Sequence, residues 1–154
     1  MKVVDFSVLA LRSAIASGSL TSEALVRECL ARIRRLNPVV NAFSQVFEEE
    51  ALEEARACDR EAAQGHLRGP LHGIPMGVKD LFFVADRLCQ RGSAAYKNFA
   101  PKATAPIVQR MIDAGSIMIG KTTTTEMGWS GSGHSEFYGP TRNPWNPELT
   151  SGGS

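Results

Sequence analysis

The sequence predicts an α/β chain, and three observations carry that prediction. Amphipathic helical patterns fill residues 1–65. After Gly69 the long patterns give way to short apolar runs set among Gly, Pro, Ser and Thr. The stretch 101–120 then reads as helix, turn, strand, the grammar of an α/β core. With 154 residues, 43% of them apolar, the chain has material for one globular domain. Two segments are expected within it, a helical one over 1–65 and an α/β one over 66–154.

The elements follow in order. Asp5 can cap a first helix that runs through Val8, Leu9 and Ile15 to a stop at Gly18. Thr21 or Ser22 can cap a second, in which Leu25, Val26, Cys29, Leu30, Ile33 and Leu36 recur at helical spacing and Asn37-Pro38 ends the run. A third covers Glu48 to Gln64, rich in Ala and Glu, with Gly65 beyond it. Ile74 to Val78 reads as a short buried strand. Pro101 to Ala114 reads as a helix presenting Ile107, Val108, Met111 and Ile112, after which Gly115 turns the chain into the strand Ser116 to Ile119. Both strands read as central. From Lys121 onward the pattern is mostly loop, and a loop of that length marks a functional, disordered or unfinished region.

Charge and composition exclude several classes. Seventeen basic and sixteen acidic side chains are interspersed, leaving a net charge of +1 and no footprint for nucleic acid. The densest basic stretch, Arg27 to Arg35, lies on a helical pattern and reads as a solvated face. No segment reaches membrane-spanning length. The opening MKVVDFSVLALRSAIAS has an apolar run too short for a secretory signal, bracketed by Asp5 and Arg12. Cys29, Cys58 and Cys89 form no C-x-x-C pair, and their odd number argues against a closed disulfide framework. Reduced, partly buried thiols and a cytoplasmic location are expected.

Three stretches could carry chemistry. Gly115 to Thr122 fits the formula of a phosphate-binding loop, G-x-x-x-x-G-K-[ST]. Such a loop follows a strand and opens a helix, whereas here a helix precedes and the middle residues are strand-like, so a turn leading to a sheet edge is the better reading. Lys79 closes the apolar stretch in GPLHGIPMGVKDLF, where burial would favour the neutral amine and make it a base. Its plainer alternatives are pairing with Asp80 or reaching to water. Gly152-Gly153-Ser154 is small and tightly turning, and its backbone N–H groups could serve an oxyanion or position a hydroxyl. His66, His72 and His134 have no metal-ligand spacing and read as surface or loop residues.

Four ordered blocks together resemble the amidase signature family: GPLHGIPMGVKD (69–80), RGSAAY (91–96), AGSIMIGKTTTTEMGW (114–129) and GPTRNPWNPELTSGGS (139–154). The resemblance implies the N-terminal portion of that fold, a mixed β-sheet core flanked by helices, and hence an incomplete domain. It also implies amide hydrolysis through a Ser–cis-Ser–Lys triad and an acyl-enzyme, without cofactor or metal. On that pattern Lys79 is the base and Ser154 the bridging serine. The nucleophile belongs to a glycine-rich segment further along than this sequence reaches. The chain alone is then expected to be inactive, with unpaired strand edges and exposed apolar surface.

By the same resemblance, Gly152 and Gly153 flank the substrate, while Met127, Gly128, Trp129 and Ser130 line an acyl pocket or simply pack a loop. GKTTTTEMGW is closer to a general amidase than to the GKTNMDEF typical of the transamidating subunit of tRNA-dependent amidotransferases. The expected partners are a small-molecule amide and either a second copy of the chain or a completing C-terminal portion. Two departures stand out. Ser151 replaces a frequent proline, and Thr104-Ala105 replaces a frequent Asp-Ala, read as a changed helix cap.

Overall fold

The computed structural model describes residues 6–153. Helix α1, Val8–Ala16, begins at Ser7, whose hydroxyl accepts from the Ala10 N–H at 3.2 Å. Asp5, the expected cap, lies outside the described residues. Helix α2, Ser22–Val40, is capped by Thr21, which accepts from the Ala24 N–H at 3.1 Å. It does not end at Asn37-Pro38. Pro38 sits in the last turn, where its fixed φ suits the helix and its missing N–H removes only one bond. The stop comes from Asn37 instead, whose Oδ1 accepts from the N–H groups of Ala42 and Phe43, each at 2.8 Å. Helix α3, Glu48–Ala63, lies where the pattern placed it and buries Ala51, Ala55 and Cys58 along one face.

Strand β1, Phe43–Val46, was not anticipated, because four residues are too few to display a period. It pairs antiparallel with β3, Ile117–Thr122. Strand β2, Pro75–Lys79, begins one residue later than expected. The Ile117 N–H donates to the Ile74 carbonyl and the Asp80 N–H to the Thr122 carbonyl, each at 2.9 Å, so β2 and β3 run in the same direction. The sheet is therefore mixed. Its order is β1-β3-β2, which makes β3 central and leaves β2, expected to be central, at an edge among the described strands.

The expected helix from Pro101 is shorter in fact: α4 spans Pro106–Asp113. A proline disfavours helical geometry in the residue before it and favours the first helical position itself. Thr104 is not a cap, since its hydroxyl accepts from the Ala85 N–H at 3.1 Å. Only Val108 of α4 is buried, while Ile107 and Met111 face outward. The remaining stretch contains a short hairpin, β4 (His134–Ser135) with β5 (Gly139–Pro140), and an isolated bridge between Arg142 and Thr150.

Two compact units emerge. The first comprises residues 1–32, 47–77 and 109–119. Its core sets Ile15, Leu25 and Ile74 against Leu11, Leu20, Cys29 and Leu71. His72, expected as a surface or loop residue, lies in a turn and is buried. Its Nδ1 accepts from the Arg68 N–H at 3.1 Å and its Nε2 donates to the Cys58 carbonyl at 3.0 Å. The second unit comprises residues 33–46, 78–108 and 120–154, and it holds Lys79, Met127, Gly128, Trp129, Ser130, Gly152 and Gly153. The three cysteines are free thiols. No helix of the described residues is long and apolar enough to cross a membrane.

Candidate active site

Lys79 is the last residue of β2 and lines a cavity of about 160 Å³. Thr123, Thr124, Thr125, Gly133, Thr141, Ser151, Gly152 and Gly153 line it with the lysine. The amine and the terminal glycines, 73 residues apart, thus share one small polar space. Ser154 lies outside the described residues. Lys79 is half-buried, less desolvated than its position after a buried strand implied.

The wall is built from backbone packed closely against backbone. Gly153 has room for no side chain without crowding, since a β-carbon there would meet the Gly133 nitrogen at 3.0 Å and the Ser130 carbonyl at 3.3 Å. Thr123 is held by Thr141 at 2.7 Å, hydroxyl to hydroxyl, and donates to the Asn41 carbonyl at 3.1 Å. Thr124 and Thr125 are buried, yet their hydroxyls have no hydrogen-bond partner among the described residues. An unpaired buried hydroxyl costs about 1–3 kcal/mol. Polar groups without partners beside a half-buried amine suit a site that receives a polar ligand.

The lysine buried completely is Lys121, set aside above with the phosphate-loop formula. It lies in the central strand rather than at a sheet edge, and among the described residues no α-helix follows to bind phosphate. Its Nζ is 2.9 Å from Oδ1 of Asp80, also fully buried, and donates to the Phe82 carbonyl at 2.9 Å. Asp80 therefore pairs with Lys121 and not with Lys79. Its Oδ2 accepts from the N–H groups of Gln90 (3.0 Å) and Arg91 (3.1 Å) and from the Tyr138 hydroxyl. Burial, with the bond to Asp80 second, raises the Tyr138 phenol above its ordinary titration range. Burial likewise raises the Cys89 thiol, which points at the Asp80 carbonyl.

The residues expected to form an acyl pocket fall elsewhere. Met127, Trp129 and Ser130 line a larger hollow of about 550 Å³ with Glu126, Ser132, His134, Ser135 and Glu136. Gly128 does not line it; a β-carbon there would strike the Leu81 side chain at 2.6 Å. Trp129 is 92% exposed, so it packs against almost nothing. Met127 has φ 52°, a left-handed value unusual for a side-chain-bearing residue. The expected substrate residues thus divide between two spaces.

Sequence reasoning missed Asp80, Lys121 and Tyr138 as a group. Asp80 and Lys121 are 41 positions apart, and no spacing rule joins them. The one available signal was a lysine inside an apolar strand, since such a residue needs a buried counter-charge. Among the described residues no cluster of His, Cys, Asp and Glu is arranged to hold a metal.

The model of the Amidase family matches residues 24–154. A glutamyl-tRNA(Gln) amidotransferase subunit from Geobacter metallireducens is 38% identical over the whole chain, which spans 32% of that protein. A putative amidase, AmiD, of Mycobacterium bovis is 39% identical over 90% of the chain and 29% of its own length. In structure, peptide amidase from Stenotrophomonas maltophilia superposes with a TM-score of 0.83 at 38% identity, over 91% of this chain and 30% of that one. The chain spans about a third of the length of the curated relatives it matches. With the four sequence blocks, the mixed sheet and these matches in agreement, the chain belongs to the Amidase family.

Proposed function

We propose that this chain is the N-terminal part of an amidase that hydrolyses a carboxamide to a carboxylate and ammonia or an amine. The observation that carries the reading is the cavity shared by Lys79, Gly152 and Gly153. Lys79 acts as the base, and Ser154, next in the chain after Gly153, relays the proton. A hydroxyl can donate and accept at once, which suits it to bridge an amine and a second hydroxyl. That second hydroxyl, the nucleophile, is supplied from outside these residues. Its attack on the amide carbonyl gives a tetrahedral oxyanion, which collapses to an acyl-enzyme as the amine leaves, and water then releases the acid. Backbone N–H groups of the glycine segment are suited to hold the oxyanion. Met127, Trp129 and Ser130 meet the acyl part of the substrate in the larger hollow.

The TTTTEMGW stretch favours a general amidase over a transamidating subunit, although both kinds of relative resemble the chain about equally. A second reading, in which the chain functions only when joined by another polypeptide, is favoured by Trp129 and Trp145, 92% and 95% exposed.

One experiment tests the proposal. Residues 1–154 alone are incubated with a primary amide and hydroxylamine, and the complete amidase is treated in parallel. Hydroxamate, the product of a trapped acyl-enzyme, is expected from the complete protein only. Hydroxamate from residues 1–154 alone would contradict the assignment of the nucleophile. Its absence from the complete protein, with substrate nonetheless consumed, would contradict the acyl-enzyme.

A further inference from the structure

We propose that the buried Asp80–Lys121 pair is a positioning device that fixes Lys79 in its cavity; this rests on Lys79 acting as the base. Asp80 directly follows Lys79. Its N–H donates to the Thr122 carbonyl at 2.9 Å, which extends the β2–β3 ladder one step past the end of β2. Successive residues on an extended strand face opposite ways. Lys79 accordingly lines the space with Gly152 and Gly153, and Asp80 turns to Lys121.

The carboxylate ties four parts of the chain together. Oδ1 meets the Lys121 ammonium at 2.9 Å, and Oδ2 receives the Gln90 and Arg91 N–H groups and the Tyr138 hydroxyl. Lys121 closes the arrangement by donating to the Phe82 carbonyl, three residues past Lys79. The backbone on the C-terminal side of Lys79 is thus held by directed bonds.

Stability alone does not account for this arrangement. A buried ion pair is often matched or exceeded in stability by well-packed apolar residues of similar volume. What charge and directed bonds add is a fixed geometry, whereas apolar side chains can slide. A base at the end of a four-carbon chain needs such an anchor, because a misplacement of about 1 Å can lower a rate about 100-fold.

The test uses the complete amidase carrying Asp80→Asn together with Lys121→Met, which removes both charges and leaves no unpaired ion. The expected result is a melting temperature near the parent's, KM unchanged and kcat lower by about 100-fold. A folded double variant with kcat within about twofold of the parent would overturn the proposal, as would a change confined to KM. If the double variant does not fold, Tyr138→Phe decides. It keeps both charges and removes one directed bond, so a kcat about tenfold lower with KM unchanged is expected, and a parental kcat overturns the proposal. Lys79→Ala is measured alongside. Parental turnover in that variant would remove the reading of Lys79 as the base, whereas loss there with full activity in the double variant would remove the positioning role alone.

Discussion

Gly133 lies so close to Gly152 that a β-carbon on it would sit 2.4 Å from the Gly152 carbonyl oxygen and 2.7 Å from the Ser151 hydroxyl. Gly133 also has φ +65°, a value that side chains disfavour. Gly133 and Gly152, which both line the Lys79 cavity, thus lie on two closely packed stretches of backbone, with the Thr150 and Ser151 hydroxyls at the contact. Gly133→Ala is expected to lose about 2–4 kcal/mol of stability, from left-handed strain and overpacking combined. Denaturant unfolding checks this, and an unchanged midpoint would contradict the close packing.

Asp59 acts at a distance in sequence on the start of α2. Its carboxylate accepts from the N–H groups of Ser22 (2.6 Å) and Glu23 (3.0 Å), two donors that a helix cannot satisfy internally. Negative charge at a helix N-terminus adds to these bonds. Asp59→Ala is expected to lower stability by about 1–3 kcal/mol, read as a fall in Tm. Asp59→Asn should retain part of it, because the amide oxygen still accepts. Equal losses in both variants would place the effect in the negative charge rather than in the accepted bonds.

Tyr138 gives the alkaline side of stability a sign. Its phenol titrates above the ordinary range in the folded chain because burial, and then the bond to Asp80, favour the neutral form. In the unfolded chain it titrates at about 10. The contribution is therefore complete below about pH 10 and is lost as pH rises through the higher, folded value. Tyr138→Phe should reduce stability at pH 8 and flatten the decline between about pH 10 and pH 12. A decline unchanged in the variant would assign it to other groups.

Much of this is legible in the residues. The helices α1 to α3, the two strands around Val78 and Ile117, and the family itself follow from periodicity and from four ordered blocks of sequence. What escapes has physical reasons. The end of α2 is hidden because Pro38 falls in a last turn that tolerates it, and the stop is made by the Asn37 side chain. Helix α4 is shorter than its pattern because two prolines set its start, and the Thr104 hydroxyl is spent on Ala85 rather than on a cap. At the site, Lys79 and the glycines can be named from motif, but the Asp80–Lys121 pair exists only once β2 and β3 lie side by side.

The most direct measurement is the single-turnover acylation rate of the complete amidase with Lys79→Ala, compared with the parent on a primary amide. A fall of about 1000-fold or more is expected, with the circular dichroism spectrum and Tm unchanged, because the serine relay then has no base. An acylation rate within about tenfold of the parent, in a normally folded variant, would contradict it.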